Sequence, residues 1–233
     1  MTVAVVTGAS QGLGLALAHH LATAGWSVVA DARDADRIRA AVDALPGGPH
    51  VAVPGDVTDS WHRGALAAAA AELGGADLLV NNASTLGASP LPRFADLEPD
   101  MYAEILAVNV VAPLALAALL LPQLRERRGR IINITSDASV AAYPTWGGYG
   151  SSKAALDHAT QVLAEEEPAL RVYAVDPGDL RTEMHQRAFP GEDISDRPEP
   201  ASVVPHLWAL VTGDVPSGRH RVADLPAAVE VRA

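Results

Sequence analysis

VAVVTGASQGLG, residues 3–14, opens the chain on a short run of apolar, mostly β-branched residues and ends on Gly8, Gly12 and Gly14. Such a run followed at once by glycines predicts a buried strand turning sharply into a helix. A helix begun there offers free N–H groups and the positive end of its dipole, the setting that suits a pyrophosphate. Alone the turn is ambiguous, because any tight strand-to-helix connection favours glycine. Its place at the head of a series of strand–helix units gives it weight.

Working outward, β-branched runs alternate with Ala/Leu-rich stretches to the end of the chain. Strands are expected at 3–6, 27–30, 51–53, 78–80, 130–134, 171–175 and 219–222, and helices at 13–24, 35–45, 60–73, 99–127, 150–166 and 201–211. The strands are apolar without strict alternation, as strands covered on both faces are. This predicts an α/β fold: a doubly wound, mostly seven-stranded parallel sheet of the Rossmann-like kind with helices on both faces, in one domain over residues 1–233. Two longer, breaker-rich loops stand out, at 84–97 and 179–200. The second holds Pro190, Gly191, Pro198 and Pro200 and is the expected substrate loop.

Composition narrows the function. Lys+Arg 17 against Asp+Glu 28 gives a formal net charge of -11, which opposes nucleic acid and anionic membrane surfaces as partners and favours small molecules. With no cysteine, disulfides, thiolate metal sites and thiol nucleophiles are excluded, and no His, Asp and Glu cluster has metal-ligand spacing, so no metal is expected. The start MTVAVVTGAS lacks the charged and long apolar regions of a secretory leader, and a cytoplasmic location is expected. The stretch 105–124 is apolar enough to be weighed as a membrane span, but Asn109 and Pro113 interrupt it and a buried helix is expected.

Lys153 is the chain's single lysine, the other basic residues being arginines. It lies four residues after Tyr149, so on a helix the two share a face one turn apart. A phenol exchanges its proton near pH 10, and a neighbouring ammonium is expected to lower that and make acid/base chemistry accessible. A Tyr-x-x-x-Lys match alone arises often by chance in helices. Here it follows a glycine-rich turn and stands behind Ser136 and Asn109.

The joint order of these features resembles the short-chain dehydrogenase/reductase family over about residues 2–185. The glycine spacing of residues 8–14 is that family's, Asp56-Val57 matches its segment after the third strand, and Asn81-Asn82-Ala83 matches the motif after the fourth. Asn109, Ser136, Tyr149-x-x-x-Lys153, Pro177-Gly178 and Thr182 complete the pattern. The resemblance implies a nicotinamide dinucleotide held by Gly8, Ser10, Gln11, Gly12, Leu13, Gly14, Asp56, Val57, Asn82, Ala83, Tyr149, Lys153, Pro177, Gly178 and Thr182. It implies that Ser136 holds the substrate oxygen, Tyr149 passes the proton, Lys153 also reaches the nicotinamide ribose, and Asn109 positions a water linking Lys153 to solvent. In that alignment Ala32 stands where NAD users carry Asp and Arg33 where NADP users carry a base, so NADP(H) is expected ahead of NAD(H). Asp31, one place early, should point to the other side of the strand.

The implied activity is reduction of a ketone or aldehyde to an alcohol, or the reverse. The alternatives are a non-catalytic dinucleotide sensor of the same fold, against which the intact site residues speak, and a nucleotide-sugar epimerase or dehydratase, for which the chain is short. Expected substrate contacts are Ser136, Tyr143, Thr145, Trp146, Tyr149, Met184 and His185, a mostly apolar cleft with few polar handles. The departures from the family pattern are Ser84 in place of a glycine, Asp137 directly after Ser136, Asp176 before Pro177, and the ending PSGRHRVADLPAAVEVRA. Ser84 should need only a local adjustment, and Asp137 and Asp176 read as solvated or capped carboxylates. That ending weakens the case for a tetramer, so a homodimer through the two long helices is the expected assembly.

Overall fold

The structure, a computed structural model, describes residues 1–227. Its strands and helices alternate: β1 (Val3–Val6), α1 (Gly12–Thr23), β2 (Ser27–Ala32), α2 (Ala35–Asp43), β3 (Val51–Pro54), α3 (Ser60–Glu72) and β4 (Leu78–Asn81). The second half follows with α4 (Pro99–Leu106), α5 (Ala112–Arg127), β5 (Arg130–Ile134), α6 (Gly147–Glu166), β6 (Arg171–Asp176), α7 (Glu183–Ala188), α8 (Val204–Thr212) and β7 (Gly218–Arg221). All strands pair in parallel in the order β3-β2-β1-β4-β5-β6-β7, the seven-stranded doubly wound sheet that the sequence predicts. The order reverses between β1 and β4, and a crevice at the carboxyl ends of such strands is where a doubly wound sheet takes its ligand.

Side-chain alternation along the strands builds two cores. Ala4 and Val6 of β1 join Leu17 and Leu21 of α1 and Leu207 and Leu210 of α8 on one face. Val3 and Val5 join Leu66 of α3 and Leu116 and Leu120 of α5 on the other. Strands lined on both sides in this way have no polar face, which is why their sequences lack a clean period of two.

Three elements differ from expectation. The stretch 99–127 is not one regular helix: α4 and α5 are joined by a π-helical turn, Ala107–Val111, with Asn109 inside it. Pro113 has no N–H to offer the carbonyl of Asn109 four residues back, and a local π turn absorbs that missing bond. The same stretch is long and apolar enough to cross a membrane by length and composition, yet here it packs on the sheet, with Leu116, Leu120 and Leu124 fully buried. The loop 179–200 holds the short helix α7, which Thr182 caps by accepting from the His185 N–H at 3.1 Å. The helix expected at 150–166 starts at Gly147, which places Tyr149 in its first turn. The last residues of the atypical C-terminal sequence, 228–233, lie outside the described residues.

Asp31 at the end of β2 is 1% exposed, turned into the body of the fold as the strand parity predicts. Its Oδ1 accepts from the Gly8 N–H at 2.8 Å and its Oδ2 meets Nε2 of His62, on α3, at 2.9 Å. Burial raises its pKa above the usual carboxylate value, against the opposing bonds from His62 and Gly8. This carboxylate therefore clamps the glycine turn to β2 and needs both partners. Truncation by His62→Ala leaves it buried with one fewer, and a loss of about 1–3 kcal/mol is expected in denaturant unfolding. A midpoint equal to the parent's would contradict the clamp.

Candidate active site

The glycine turn is fixed by its crossing with the strand end beside it. Gly8 has φ +65°, and a Cβ on it would lie 2.9 Å from Ala83 Cα. The Asn82 amide donates to the carbonyls of Thr7 and Gly8 at 2.9 and 3.1 Å, while Thr7 Oγ1 accepts from the N–H groups of Asn82 and Ala83, both at 3.0 Å. Gly14 faces the same junction, where a Cβ would sit 2.5 Å from Asn82 Nδ2 and from the Gly8 oxygen. Gly14 is thus a packing glycine and does not line the cleft.

Above the carboxyl ends of the strands lies one cleft of about 1440 Å³. At one end Gly8, Ser10, Gln11, Gly12 and Leu13 form its floor with Asn82 and Ala83. Arg33, Asp56 and Val57 line the part nearest α2, together with Arg37, which sequence reasoning missed although it lies one turn along from Arg33. Burial works to raise the Asp56 carboxyl, but bonds from Thr58 and the charges of Arg33 and His62 hold it below its usual value. Pro177, Gly178 and Thr182 line the side next to α7, and Met184 and His185 follow on that helix.

At the other end the cleft reaches Ser136, Trp146, Tyr149 and Lys153. A buried polar ladder holds α6 in place here: Asn81 donates to Asn133 at 2.7 Å and Asn133 to Thr160 at 2.9 Å. Ser136 follows β5, and its carbonyl is held by Arg219 of β7 at 3.0 Å, an arginine also bound to Asp157 and Asp176. Asp176 further accepts from the Gly178 N–H at 3.0 Å, so it is a capped and paired carboxylate as expected. Leu86, Ala138 and Tyr149 form a small apolar cluster with Trp146 and Met184 packed against it.

Tyr149 and Lys153 are both buried, and burial governs both. It holds the phenol above its ordinary value, outweighing the lowering effect of the Ser84 and Ser136 hydroxyls nearby. It lowers Lys153 from 10.5 to about 8. The depressed tyrosine expected from a neighbouring cation is therefore absent: Nζ stands 5.5 Å from the ring centroid and donates instead to the Ile134 carbonyl at 2.8 Å.

Asn109 is fully buried, and its side-chain amide is saturated: it accepts from Ser84 Oγ at 3.0 Å and Thr85 N at 2.8 Å, and donates to Thr85 O at 2.9 Å and Ser152 Oγ at 3.0 Å. That side chain acts as a brace between the loop after β4 and α6. One further expectation needs correction. Tyr143 and Thr145 do not line the cleft. Tyr143 is 46% exposed, packs edge-on to Trp146, and donates to Asp137 Oδ2 at 2.8 Å, which pulls it outward. Ser84, expected to be a passive replacement, instead donates to Asn109 and stands close enough to Tyr149 to lower its pKa against burial. Its hydroxyl at a glycine position was the one signal that could have marked it. Among the described residues no cluster of His, Asp and Glu could hold a metal.

The description "short chain dehydrogenase" belongs to the family model that matches residues 2–193. An uncharacterized oxidoreductase of Saccharomyces cerevisiae is 35% identical over 57% of this chain and 52% of its own length, so the chain spans about half of that relative. Sepiapterin reductase of Xenopus laevis is 33% identical over 79% of this chain and 75% of its own. Among solved structures, an alcohol dehydrogenase from the archaeon Thermococcus sibiricus complexed with 5-hydroxy-NADP superposes with a TM-score of 0.83 at 25% identity, covering 95% of each chain.

A buried lysine with a depressed pKa makes a signed prediction. Unfolding raises its affinity for a proton, so this residue's contribution to stability is poorest below about pH 8 and improves as pH climbs toward 10.5. Lys153→Met, which keeps the volume and removes the charge, is expected to melt above the parent at neutral pH, the gap closing across that window. A variant less stable than the parent at every pH would show that the Ile134 bond outweighs desolvation.

Proposed function

The chain belongs to the short-chain dehydrogenase family and is an oxidoreductase; from that premise we propose that it reduces a ketone or aldehyde with NADPH, with Tyr149 as the proton donor. The observation that carries this reading is the convergence of Ser136, Tyr149 and Lys153 at one end of a cleft whose other end is a glycine-floored cradle. The cradle fits a dinucleotide: Gly8, Ser10, Gln11, Gly12 and Leu13 line the cleft where α1 begins, so the helix's N-terminal end opens onto it. The cofactor supplies the hydride, and the protein supplies placement, the proton and exclusion of water.

Gly8, Ser10, Gln11, Gly12, Leu13, Asn82 and Ala83 would hold the dinucleotide along the floor, Asp56 and Val57 its adenine end, and Pro177, Gly178 and Thr182 its far side. Lys153 would bind the nicotinamide ribose. Ser136 would donate to the carbonyl oxygen and so polarise it, while Tyr149 donates its proton to that oxygen as it gains charge. Asn109 is a positioning residue: it fixes Ser84 and Thr85, and Ser84 in turn touches the phenol. Trp146, Met184 and His185 would contact the substrate. Arg33 supports NADP(H), since it faces the cleft without a carboxylate at position 32 to favour a free ribose hydroxyl. The exposed apolar side chains of Leu119 on α5 and Val162 on α6 fit a homodimer through those helices. Nothing in this reading needs a partner other than a small molecule, and a cytoplasmic setting suits an NADPH-driven reduction.

Two variants test it. Tyr149→Phe is expected to bind NADPH as the parent does, by fluorescence titration, while carbonyl reduction falls by about three orders of magnitude; turnover near the parent's would overturn the mechanism. Arg33→Ala is expected to raise KM for NADPH about tenfold or more and leave KM for NADH nearly unchanged. Equal effects on the two cofactors would remove Arg33 as the discriminator.

A further inference from the structure

Ser136 has one proton to give, and in this structure it gives it away from the cleft's chemistry. Its Oγ donates to Asp137 Oδ1 at 2.9 Å and accepts from the Ala138 N–H at 3.2 Å. A serine that is to polarise a carbonyl must donate to that carbonyl, so Asp137 competes with the substrate for the same hydrogen. The competitor is strong, because a charged acceptor holds a hydroxyl more tightly than a neutral carbonyl does. It has no ion pair among the described residues. Arg219, which holds the Ser136 carbonyl, directs its charge to Asp157 and Asp176.

The surroundings of Asp137 match one kind of group. Asp137 and Trp146 both line the cleft, and the indole ring stands 5.7 Å from the rings of both Tyr149 and Phe189 and 6.5 Å from that of Tyr143. Tyr143, whose hydroxyl donates to Asp137 Oδ2 at 2.8 Å, packs on that indole, so aromatic rings gather near a carboxylate that has hydroxyl partners and no cation, the recognition chemistry of an organic ammonium. On α7, the His185 side chain is 10% exposed and its Nε2 has no hydrogen-bond partner, which leaves the cleft wall a buried polar group that a substrate could also satisfy.

We propose that Asp137 is a specificity-determining residue that selects α- or β-amino ketones and aldehydes: the substrate's ammonium takes the Asp137 carboxylate, and Ser136 is thereby released to donate to the carbonyl. The 2.9 Å between Ser136 Oγ and Asp137 Oδ1 requires the nitrogen and the carbonyl to be close neighbours in the substrate. The reaction balances as any carbonyl reduction does. Hydride from NADPH forms the new C–H bond, the C=O π bond breaks, Tyr149 delivers the proton to oxygen, and the ammonium keeps its own proton, giving an amino alcohol and NADP+. The proposal rests on the reductase reading above and adds the substrate class to it.

A matched pair of ketones tests it: (dimethylamino)acetone, protonated near neutral pH, and methyl isobutyl ketone, its neutral carbon isostere. The parent enzyme is expected to favour the amine by about tenfold or more in kcat/KM, as a charge-assisted contact would. Asp137→Asn should erase that ratio, and Asp137→Ala should erase it while raising the rate on the neutral ketone, because Ser136 is freed. A ratio that survives in both variants, or a parent with none, overturns the proposal. Calorimetric titration of the NADP+-loaded protein with dimethylpropylamine needs no turnover: binding lost in Asp137→Ala supports it, and no binding, or equal binding in both proteins, overturns it. The two readings fail separately. Reduction of both ketones without preference leaves the reductase and removes the Asp137 site, whereas Asp137-dependent amine binding with neither ketone reduced leaves the site and removes the reductase.

Discussion

Everything above the sheet is registered on the crossing of two strand ends, Thr7-Gly8 after β1 and Asn82-Ala83 after β4. Four hydrogen bonds join them, and the absent Cβ at Gly8 and Gly14 lets the backbones close on each other. The crossing marks the point where the strand order reverses, so it fixes the floor of the cleft and the start of α1 together. Asp31 extends the same lock sideways to β2 and, through His62, to α3. A single rigid junction thus sets where a pyrophosphate could lie and, through Asn82 and the residues that follow it, where Ser84 meets Tyr149.

From that junction the reacting end is reached by buried polar bonds more than by apolar packing. Asn109 ties the loop after β4 to Ser152 of α6, and the ladder from Asn81 through Asn133 to Thr160 ties β4 and β5 to the same helix. Such bonds are directional, and each left unmade costs the desolvation of a buried group, so they hold α6 in one register. That register places Tyr149 and Lys153 in a water-poor site where both neutral forms are favoured. The arrangement costs stability at Lys153 and holds the Tyr149 phenol above its ordinary value.

How much of this was legible in the sequence depended on whether the signal was local. Residues 3–14 announced the first strand, turn and helix because glycine and β-branched residues report directly on backbone shape. The apolar runs announced the remaining strands in their right order along the chain, though periodicity carries no information on which strands adjoin. Asp31 was placed correctly by strand parity alone. The π turn at Ala107–Val111 was hidden because Pro113 breaks a helix in several ways and only packing chooses among them. Tyr143 was misplaced because the bond to Asp137 that turns it outward is not visible in the sequence. The direction of the Tyr149 shift was misread because the charge of Lys153 is visible in sequence and the depth of its burial is not. Ser84 and Asp137 were visible as departures from a pattern, and their contacts were not.

Those two departures meet at the same atoms. Ser84 and Ser136 both stand beside the Tyr149 phenol and pull its pKa down against burial, and Asp137 accepts the hydrogen of Ser136. A hydroxyl carries one hydrogen, so while Ser136 donates to Asp137 it has none to offer an incoming oxygen. The Ser84 hydroxyl, in turn, donates to Asn109. The two hydroxyls beside the phenol thus spend their hydrogens elsewhere, and the contact between Ser136 and Asp137 is the one that faces the cleft. Whatever contacts the Asp137 carboxylate therefore also bears on the direction of the Ser136 hydrogen.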